Sequence, residues 1–301
     1  MRRLANLVGF GLLAAFTLYG VLEFASGDWR SALGYWEGQL PILPAVLALA
    51  ALDVAFEALA VLWTYARFGV RAFDRQGALA CLCIRAGLLL PAQLGRVIRP
   101  DALARFGKGA IGNCLKAEGA AFVLDTISVL VLVAGLLAWR WQPLAGPFAA
   151  MAAVLAALGA GRLATGWLVG TRFELPADFW LRWSTVGIVG LEALAWITHG
   201  LAFWLLIRGL SASITAVDAT LATAVASLLG AGSGAPGGVG VIDGLLGASL
   251  RWMQVAPEHF AFAVGGFRLA TFWLWIPVGW GALALTRRVP RPVLEVAPER
   301  S

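Results

Sequence analysis

The chain has 301 residues, of which 60% are hydrophobic and only 13% are charged. Soluble domains carry about 25% charged residues, so this composition excludes a soluble globular protein. Several long apolar runs predict an all-α polytopic membrane protein instead. The net charge is +6, which we attribute to a cytoplasmic membrane face and to anionic lipid, and we expect no nucleic-acid partner.

Six segments are long enough to cross a bilayer, for which about 20 apolar residues are needed. In chain order they are Leu4–Ala25, Leu40–Trp63, Gly119–Trp139, Pro143–Gly161, Val186–Ile207 and Phe260–Leu285. The first has no small-residue cleavage site, so we interpret it as a retained helix and not as a signal peptide. We expect one integral membrane domain over residues 1–301, with no soluble catalytic domain.

Two further apolar segments, Ala78–Pro91 and Ala219–Ala231, are too short for a full crossing. Segments of this length are typical of broken or re-entrant helices. Pro91 and Pro236 interrupt them at places about half the chain apart, and such pairs indicate an internal repeat. Residues 1–150 and 151–301 are therefore candidate halves of an inverted repeat. Full crossing by both short segments is the alternative.

Charge orients this scheme, because loops rich in Lys and Arg stay on the cytoplasmic side. With both short segments re-entrant, most basic residues, Arg96 and Arg99 included, fall on the side of the two termini. The few on the other side are Arg30, Arg140, Arg208 and Arg251. We therefore expect a multi-pass protein of a prokaryotic cell membrane with both termini in the cytoplasm.

Ionisable residues lie within or beside the apolar segments: Asp53, Glu57, Arg85, Asp125, Glu192, His199, Asp218, Asp243 and Arg268. A charge at the bilayer centre costs roughly 2.5–3.5 kcal/mol, so each should face a partner or water. Asp53 and Glu57 share one helix face, where they can neutralise Arg85 or the arginines near Pro91. We predict a supporting charge network of Asp53, Glu57, Arg85, Asp125 and Arg268. Polar contacts that only join helices are the alternative.

The stretch "ASLLGAGSGAPGGVGVIDGLL", residues 226–246, concentrates seven glycines and one proline. Such a break is tolerated at membrane depth where it lines a cavity or is buried in protein. Successive backbone N–H groups and a following helix N-terminus favour an anion. The predicted lipid-binding residues here are Pro236, Gly237, Gly238, Gly240 and Asp243, and we expect Arg268 of the final span to balance Asp243 and fix this break. A packing surface of small residues is the alternative.

The first break, "PAQLGRVIRPDALAR", places Arg96 and Arg99 three residues apart on one helix face. Guanidinium groups bind phosphate bidentately, so this pair predicts a clamp for a lipid phosphate. A cytoplasmic face that follows the positive-inside rule explains the same arginines equally well.

Three motifs resemble those of a known family. "LLLPAQLGRVIRPDAL" is similar to the "LP-x-x-x-GE-x-VR-x-x-x-L" motif of the flippase-like family that includes the membrane domain of lysylphosphatidylglycerol synthases. "PGGVGVID" resembles its "PGGLGV-x-E" signature, and "FRLATFWLWIPVGW" resembles its closing helix. The chain departs from the pattern at Arg96 and Asp243, where the family has Glu, and at Ala121 and Phe122, which replace a charged pair.

The resemblance implies translocation of a lipid with an anionic or modified headgroup between leaflets. We expect no enzymatic activity, no catalytic residues, no metal and no cofactor, because no transferase domain follows. An intramembrane protease is disfavoured, since Ala231 breaks the serine motif in "GAGSGAP". An accessory protein of lipid or glycolipid synthesis and a lipid-modifying enzyme are the alternatives. The sequence does not determine the oligomeric state.

Overall fold

The computed structural model describes residues 34, 37, 38 and 40–289, apart from 168, 169, 172, 173, 177 and 212. The predicted span Leu4–Ala25 and the C-terminal tail lie outside them. The α-helices of the described part are α1 (Leu43–Arg67), α2 (Arg75–Cys83), α3 (Ile98–Arg105), α4 (Ile111–Trp141), α5 (Ala145–Gly166), α6 (Trp183–Ile207), α7 (Ala216–Gly232), α8 (Val241–Trp252), α9 (Phe260–Arg268) and α10 (Trp275–Arg287).

Long apolar helices confirm the predicted all-α polytopic membrane fold. Among the described residues, five stretches are long and apolar enough to cross a membrane. They are Leu40–Arg67, Ile111–Trp141, Ala145–Gly166, Trp183–Ile207 and Pro257–Arg287. We call the last of these the last span; it joins α9 to α10 through the π-helical segment Leu269–Trp273.

Helices α1 and α6 pack together at the centre of the bundle. Small buried residues such as Ala50, Ala60 and Ala195 let helix backbones approach closely, which is how helices associate in lipid. Gly200 lies so close to Thr220 of α7 that an added Cβ would overlap it. The centre of the bundle is therefore fixed by close helix contacts.

The first hairpin consists of α2, the 3-10 segments Ile84–Gly87 and Pro91–Val97, and α3. Its two ends meet, because the Arg71 amide donates to the Lys108 carbonyl at 3.2 Å. At its tip the chain reverses so tightly that a Cβ on Gly95 would overlap the Gly87 backbone. The segment thus enters the bundle and returns to the same end, as the re-entrant prediction required.

Asp74 anchors the base of this hairpin. Its carboxylate accepts a hydrogen bond from the Lys108 ammonium and another from the Gly77 amide, the latter at 2.9 Å, which caps the start of α2. The hydrogen bond from Lys108, helped by that from Gly77, holds the pKa of the Asp74 carboxyl below its usual value. The link from Asp74 to Lys108 ties the two ends of the hairpin together.

The second hairpin consists of α7, a 3-10 turn at Pro236–Gly238, and α8. Its ends also meet: the Ser213 hydroxyl donates to the Met253 carbonyl at 3.1 Å. Ile214 and Val255 lie in one buried apolar cluster beside this contact. The second short apolar segment therefore also returns to the end of the bundle at which it enters, in agreement with a re-entrant segment.

The two hairpins enter the bundle from opposite ends. Helix α4 begins beside the base of the first hairpin, and its 31 residues extend about 45 Å. At its far end, Arg140 pairs with Asp218 at 3.2 Å and stacks on Trp252, both at the base of the second hairpin. The tips meet inside, where a Cβ on Gly237 would lie 3.2 Å from the Leu88 carbonyl oxygen. Opposed hairpins are what an inverted repeat produces; the halves themselves stay a prediction.

Basic residues distinguish the two ends of the bundle. We call the end at the base of the first hairpin the basic face; it carries Arg67, Arg71, Arg75, Arg105, Lys108 and Arg182. The opposite end carries Arg140, Arg208 and Arg251. This division agrees with the predicted one, except that Arg96 and Arg99 lie inside the bundle.

Labelling of introduced cysteines tests this topology in vesicles. With the three buried native cysteines replaced, Arg71→Cys and Lys108→Cys should react with an impermeant reagent from one side only. Glu258→Cys, next to the base of the second hairpin, should react only from the other side. Reaction of Arg71→Cys and Lys108→Cys from opposite sides would mean that the first hairpin crosses the membrane.

Candidate functional site

A cavity of about 440 Å³ lies where the two hairpin tips meet. Its walls come from α1, α4, α6 and the last span as well as from both tips. The volume is within the range of ligand sites, roughly 300–1,000 Å³. The charged side chains predicted from the sequence as a supporting network, Asp53, Glu57, Arg85, Asp125 and Arg268, all line it.

Glu57 of α1 joins the first hairpin to the central helices. Its carboxylate accepts a hydrogen bond from Arg85 and lies 3.3 Å from the Arg99 guanidinium. This confirms the expected neutralisation of Arg85 by the acidic face of α1. Since a buried charge without a partner costs several kcal/mol, these contacts hold the hairpin against α1.

Arg99 occupies the most buried position of the network, with only 1% of its surface exposed. Its guanidinium lies between Glu57 and Glu118, 3.4 Å from the latter. The Tyr65 hydroxyl also donates to Glu118, at 2.6 Å. The charge network predicted from the sequence did not include Glu118 and Tyr65. The available signal was the seven-residue spacing of Glu118 and Asp125, which places both carboxylates on one face of α4.

Arg96 forms the next part of the wall. Its guanidinium lies 2.9 Å from Asp125 and 3.7 Å from Glu118, and it stacks over the Phe122 ring. The indole N–H of Trp196 donates to the second oxygen of Asp125 at 3.0 Å. Because 21% of the Arg96 side chain stays exposed, this guanidinium is paired yet accessible from the cavity.

Asp53 of α1 and His199 of α6 form another part of the cavity wall. The Asp53 carboxylate lies 3.0 Å from the His199 ring nitrogen Nδ1. The rings of Trp196 and Phe267 pack edge-on against the imidazole and fix its orientation. Asp53 thus pairs with α6, whereas Glu57, one turn along α1, pairs with the first hairpin.

The glycine-rich break forms the tip of the second hairpin. Gly237, Gly238 and Gly240 have φ values of 59°, 64° and 81°, which only glycine adopts readily. The Gly238 amide donates to the Ala235 carbonyl at 3.0 Å, and the Gly240 amide to the Asp243 carboxylate at 2.9 Å. These two amides therefore stabilise the turn itself and do not point into the cavity as free donors.

Arg268 of the last span holds this tip in place. Its guanidinium donates to the Gly237 carbonyl at 2.8 Å and lies 3.2 Å from Asp243. The predicted pairing of Arg268 with Asp243 is thereby confirmed. Arg268 also stacks over Phe272 at 4.2 Å and lines the cavity.

The predicted lipid-binding residues divide into two groups. Arg96, Gly237 and Gly238 line the cavity, whereas Arg99, Pro236, Gly240 and Asp243 are not among its lining residues. The expected phosphate clamp of Arg96 with Arg99 does not face the cavity, because Arg99 is enclosed by its two carboxylates. Arg268 provides a guanidinium to the cavity beside the tip of the second hairpin. The lipid-binding role of these residues stays a prediction.

The family profile described as the lysylphosphatidylglycerol synthase TM region matches residues 4–279. The chain belongs to this family. The match spans both hairpins and most of the last span, so membership agrees with the motif resemblance. The protein is accordingly a multi-pass integral membrane protein of a family associated with lipid synthesis or modification. No curated protein sequence gives a significant match.

A double-mutant cycle tests the contact between Glu57 and Arg85. Glu57→Ala should destabilise the protein by about 3–5 kcal/mol, because it strands buried positive charge. Arg85→Ala in the same chain should recover part of that loss, with a coupling of about 0.5–3 kcal/mol. Thermal unfolding in detergent measures both. Strictly additive losses would mean that the two side chains are not coupled.

Arg99 provides a separate test of the buried network. Arg99→Ala leaves Glu57 and Glu118 short of a partner, so we expect a loss of about 3–5 kcal/mol in unfolding free energy. Arg105→Ala is the matched control, since its pair with Asp101 at the basic face is partly exposed and worth about 0–1 kcal/mol. Equal stability of the two variants would contradict the network.

Proposed function

We propose that this protein moves a phospholipid between leaflets, with the headgroup in the central cavity and the acyl chains outside it. On this proposal it makes and breaks no covalent bonds. A charged headgroup does not cross hydrocarbon unaided, because charge at the bilayer centre is costly. Ion-paired side chains at that depth can replace the water that the headgroup loses.

The observation that carries the proposal is the contrast between the walls of the cavity and its rim. The walls hold arginines and carboxylates, but the rim includes Leu90 and Phe122, which are 36% and 40% exposed. Phe122 lies about 17 Å along α4, near the middle of the helix, where the surface faces acyl chains. A polar cavity with an apolar rim at mid-depth fits a lipid whose headgroup is inside and whose tails are outside.

Two of the arginines that line the cavity, Arg96 of the first hairpin and Arg268 beside the tip of the second, are the proposed phosphate ligands. Each guanidinium is already paired with a carboxylate, Asp125 or Asp243, so a phosphate binds by exchanging with that carboxylate. Charge-assisted bonds to phosphate are about as strong as those to carboxylate, so the exchange costs little. Gly237 and Gly238 also line the cavity, and Arg268 bonds to the Gly237 carbonyl.

The proposed orientation follows from charge. We place the basic face in the cytoplasm of a prokaryotic cell, because Lys and Arg are retained on that side. Both termini are then cytoplasmic. The basic face also attracts anionic headgroups, since each basic residue near a charged leaflet contributes about 1 kcal/mol.

Arg96→Ala tests the phosphate site. It should weaken lipid capture roughly ten- to a hundredfold, because the phosphate loses a charge-assisted bond of about 1.5–3 kcal/mol and also meets an Asp125 carboxylate that no longer has its guanidinium partner. The assay is the movement of a labelled anionic phospholipid in vesicles that contain only this protein. Arg105→Ala, outside the cavity, is the charge-matched control and should behave as the parent does.

Two other outcomes decide between the proposal and its alternatives. If the parent moves no lipid by itself, an accessory role in lipid synthesis is favoured. If mass spectrometry shows that the headgroup is altered, the protein is a lipid-modifying enzyme. A well-folded Arg96→Ala variant that moves lipid as fast as the parent would refute the phosphate site.

A further inference from the structure

Glu192 of α6 differs from every other carboxylate in the described part of the cavity. It is 2% exposed and lines the cavity wall. Its carboxyl group has no hydrogen-bond or ion-pair partner among the described residues. By contrast, Glu57 pairs with Arg85, Asp125 with Arg96, and Asp53 with His199.

The position of Glu192 places it next to the Arg96–Asp125 pair. It lies one helical turn before Trp196, whose indole N–H is bonded to Asp125. The carboxylates of Asp125 and Glu57 line the same cavity as Glu192. The guanidinium groups of Arg96 and Arg99 are already neutralised by carboxylates.

The remaining charged groups on the elements around α6 give Glu192 no cation either. On α1, Asp53 is bonded to His199 of α6 itself. On the last span, Arg268 is paired with Asp243 of the second hairpin. On α7, Asp218 pairs with Arg140 at the far end of the bundle. Glu192 therefore shares the cavity with other carboxylates, and each arginine that lines this cavity in the described part of the chain is already paired with one.

An unpaired buried carboxylate costs several kcal/mol, whereas a carboxylic acid needs only ordinary hydrogen bonding. The ligand that suits a lone carboxylate here is a proton. A metal ion needs several donors, and no group of three His, Cys, Asp or Glu side chains in the described part of the chain could hold one. A proton needs only one oxygen lone pair, which Glu192 offers at the cavity wall.

We propose that Glu192 is a proton-binding site that sets the affinity of the cavity for an anionic headgroup. This role of Glu192 rests on the proposed function. When phosphate takes Arg96 from Asp125, the freed Asp125 carboxylate and an ionised Glu192 would repel both each other and the phosphate. A proton on Glu192 removes one negative charge and so favours the headgroup. By linkage, headgroup binding equally favours the proton.

The charge of Glu192 sets the direction in which lipid capture depends on pH. Lower pH protonates Glu192, so it strengthens capture of an anionic lipid and speeds its movement. Higher pH ionises Glu192 and slows movement. Glu192→Gln mimics the protonated form and should stay fast at every pH, whereas Glu192→Asp keeps a titrating carboxyl and should keep a pH dependence.

The experiment follows labelled phosphatidylglycerol in phosphatidylcholine vesicles across a pH series. Glu258→Gln is the matched control, because Glu258 is an exposed carboxylate next to the base of the second hairpin. We expect the parent, Glu258→Gln and Glu192→Asp to depend on pH and Glu192→Gln to lose that dependence. A folded Glu192→Gln variant with the pH profile of the parent would overturn the proposal.

Infrared spectroscopy provides a readout that does not need transport. The carbonyl band of a protonated carboxyl should titrate in the detergent-solubilised parent and disappear in Glu192→Gln. Absence of that band from the parent at every pH would also overturn the proposal. If the parent moves no lipid but the band is present and assigned to Glu192, the transport function fails and the proton site stands. If Glu192→Gln does not fold, a shifted band in Glu192→Asp decides the assignment.

Discussion

The structure depends on the requirement that charge buried in a membrane must be paired. Arg99, enclosed between Glu57 of α1 and Glu118 of α4, meets that requirement at the point where the first hairpin enters the helix bundle. Neither helix could hold an unpaired carboxylate at this depth. The same contacts that neutralise Arg99 thus fix the hairpin in position, and the cavity forms against its inner side.

A second consequence is that the tips of the two hairpins can contact each other inside the bundle. A re-entrant segment leaves backbone groups at its tip that hydrocarbon cannot satisfy. Here Arg268 donates to the Gly237 carbonyl, and the turn uses the Gly238 and Gly240 amides internally. The tips can therefore meet without orphaned backbone donors at Gly238 and Gly240. Glycine is favoured at 237, 238 and 240 because the turn needs positive φ there, and at Gly237 also because an added Cβ would overlap Phe272 and lie 3.2 Å from the Leu88 carbonyl oxygen.

The cavity that results is balanced rather than strongly basic. Its arginines are held by carboxylates, and Glu192 adds one further ionisable group. A strongly basic cavity would hold a phosphate too tightly for release. A cavity in which each guanidinium has an internal partner lets the ligand bind and leave by exchange. Such a balance suits transport better than storage, since tight ground-state binding slows turnover.

The sequence by itself determined the fold class, five of the spans within the described residues, and the places of the two short, interrupted segments. It could do so because apolar length and helix-breaking residues are local properties. It also predicted that Glu57 meets Arg85 and that Arg268 meets Asp243, because charge at depth leaves few choices of partner. The tertiary structure alone decided which of Arg96 and Arg99 faces the cavity, and it revealed Glu118, Tyr65 and Trp196 as members of the network. Those outcomes depend on the rotation of α4 and on the depth of the first hairpin. Both are set by packing between segments far apart in the chain, and no local pattern encodes them.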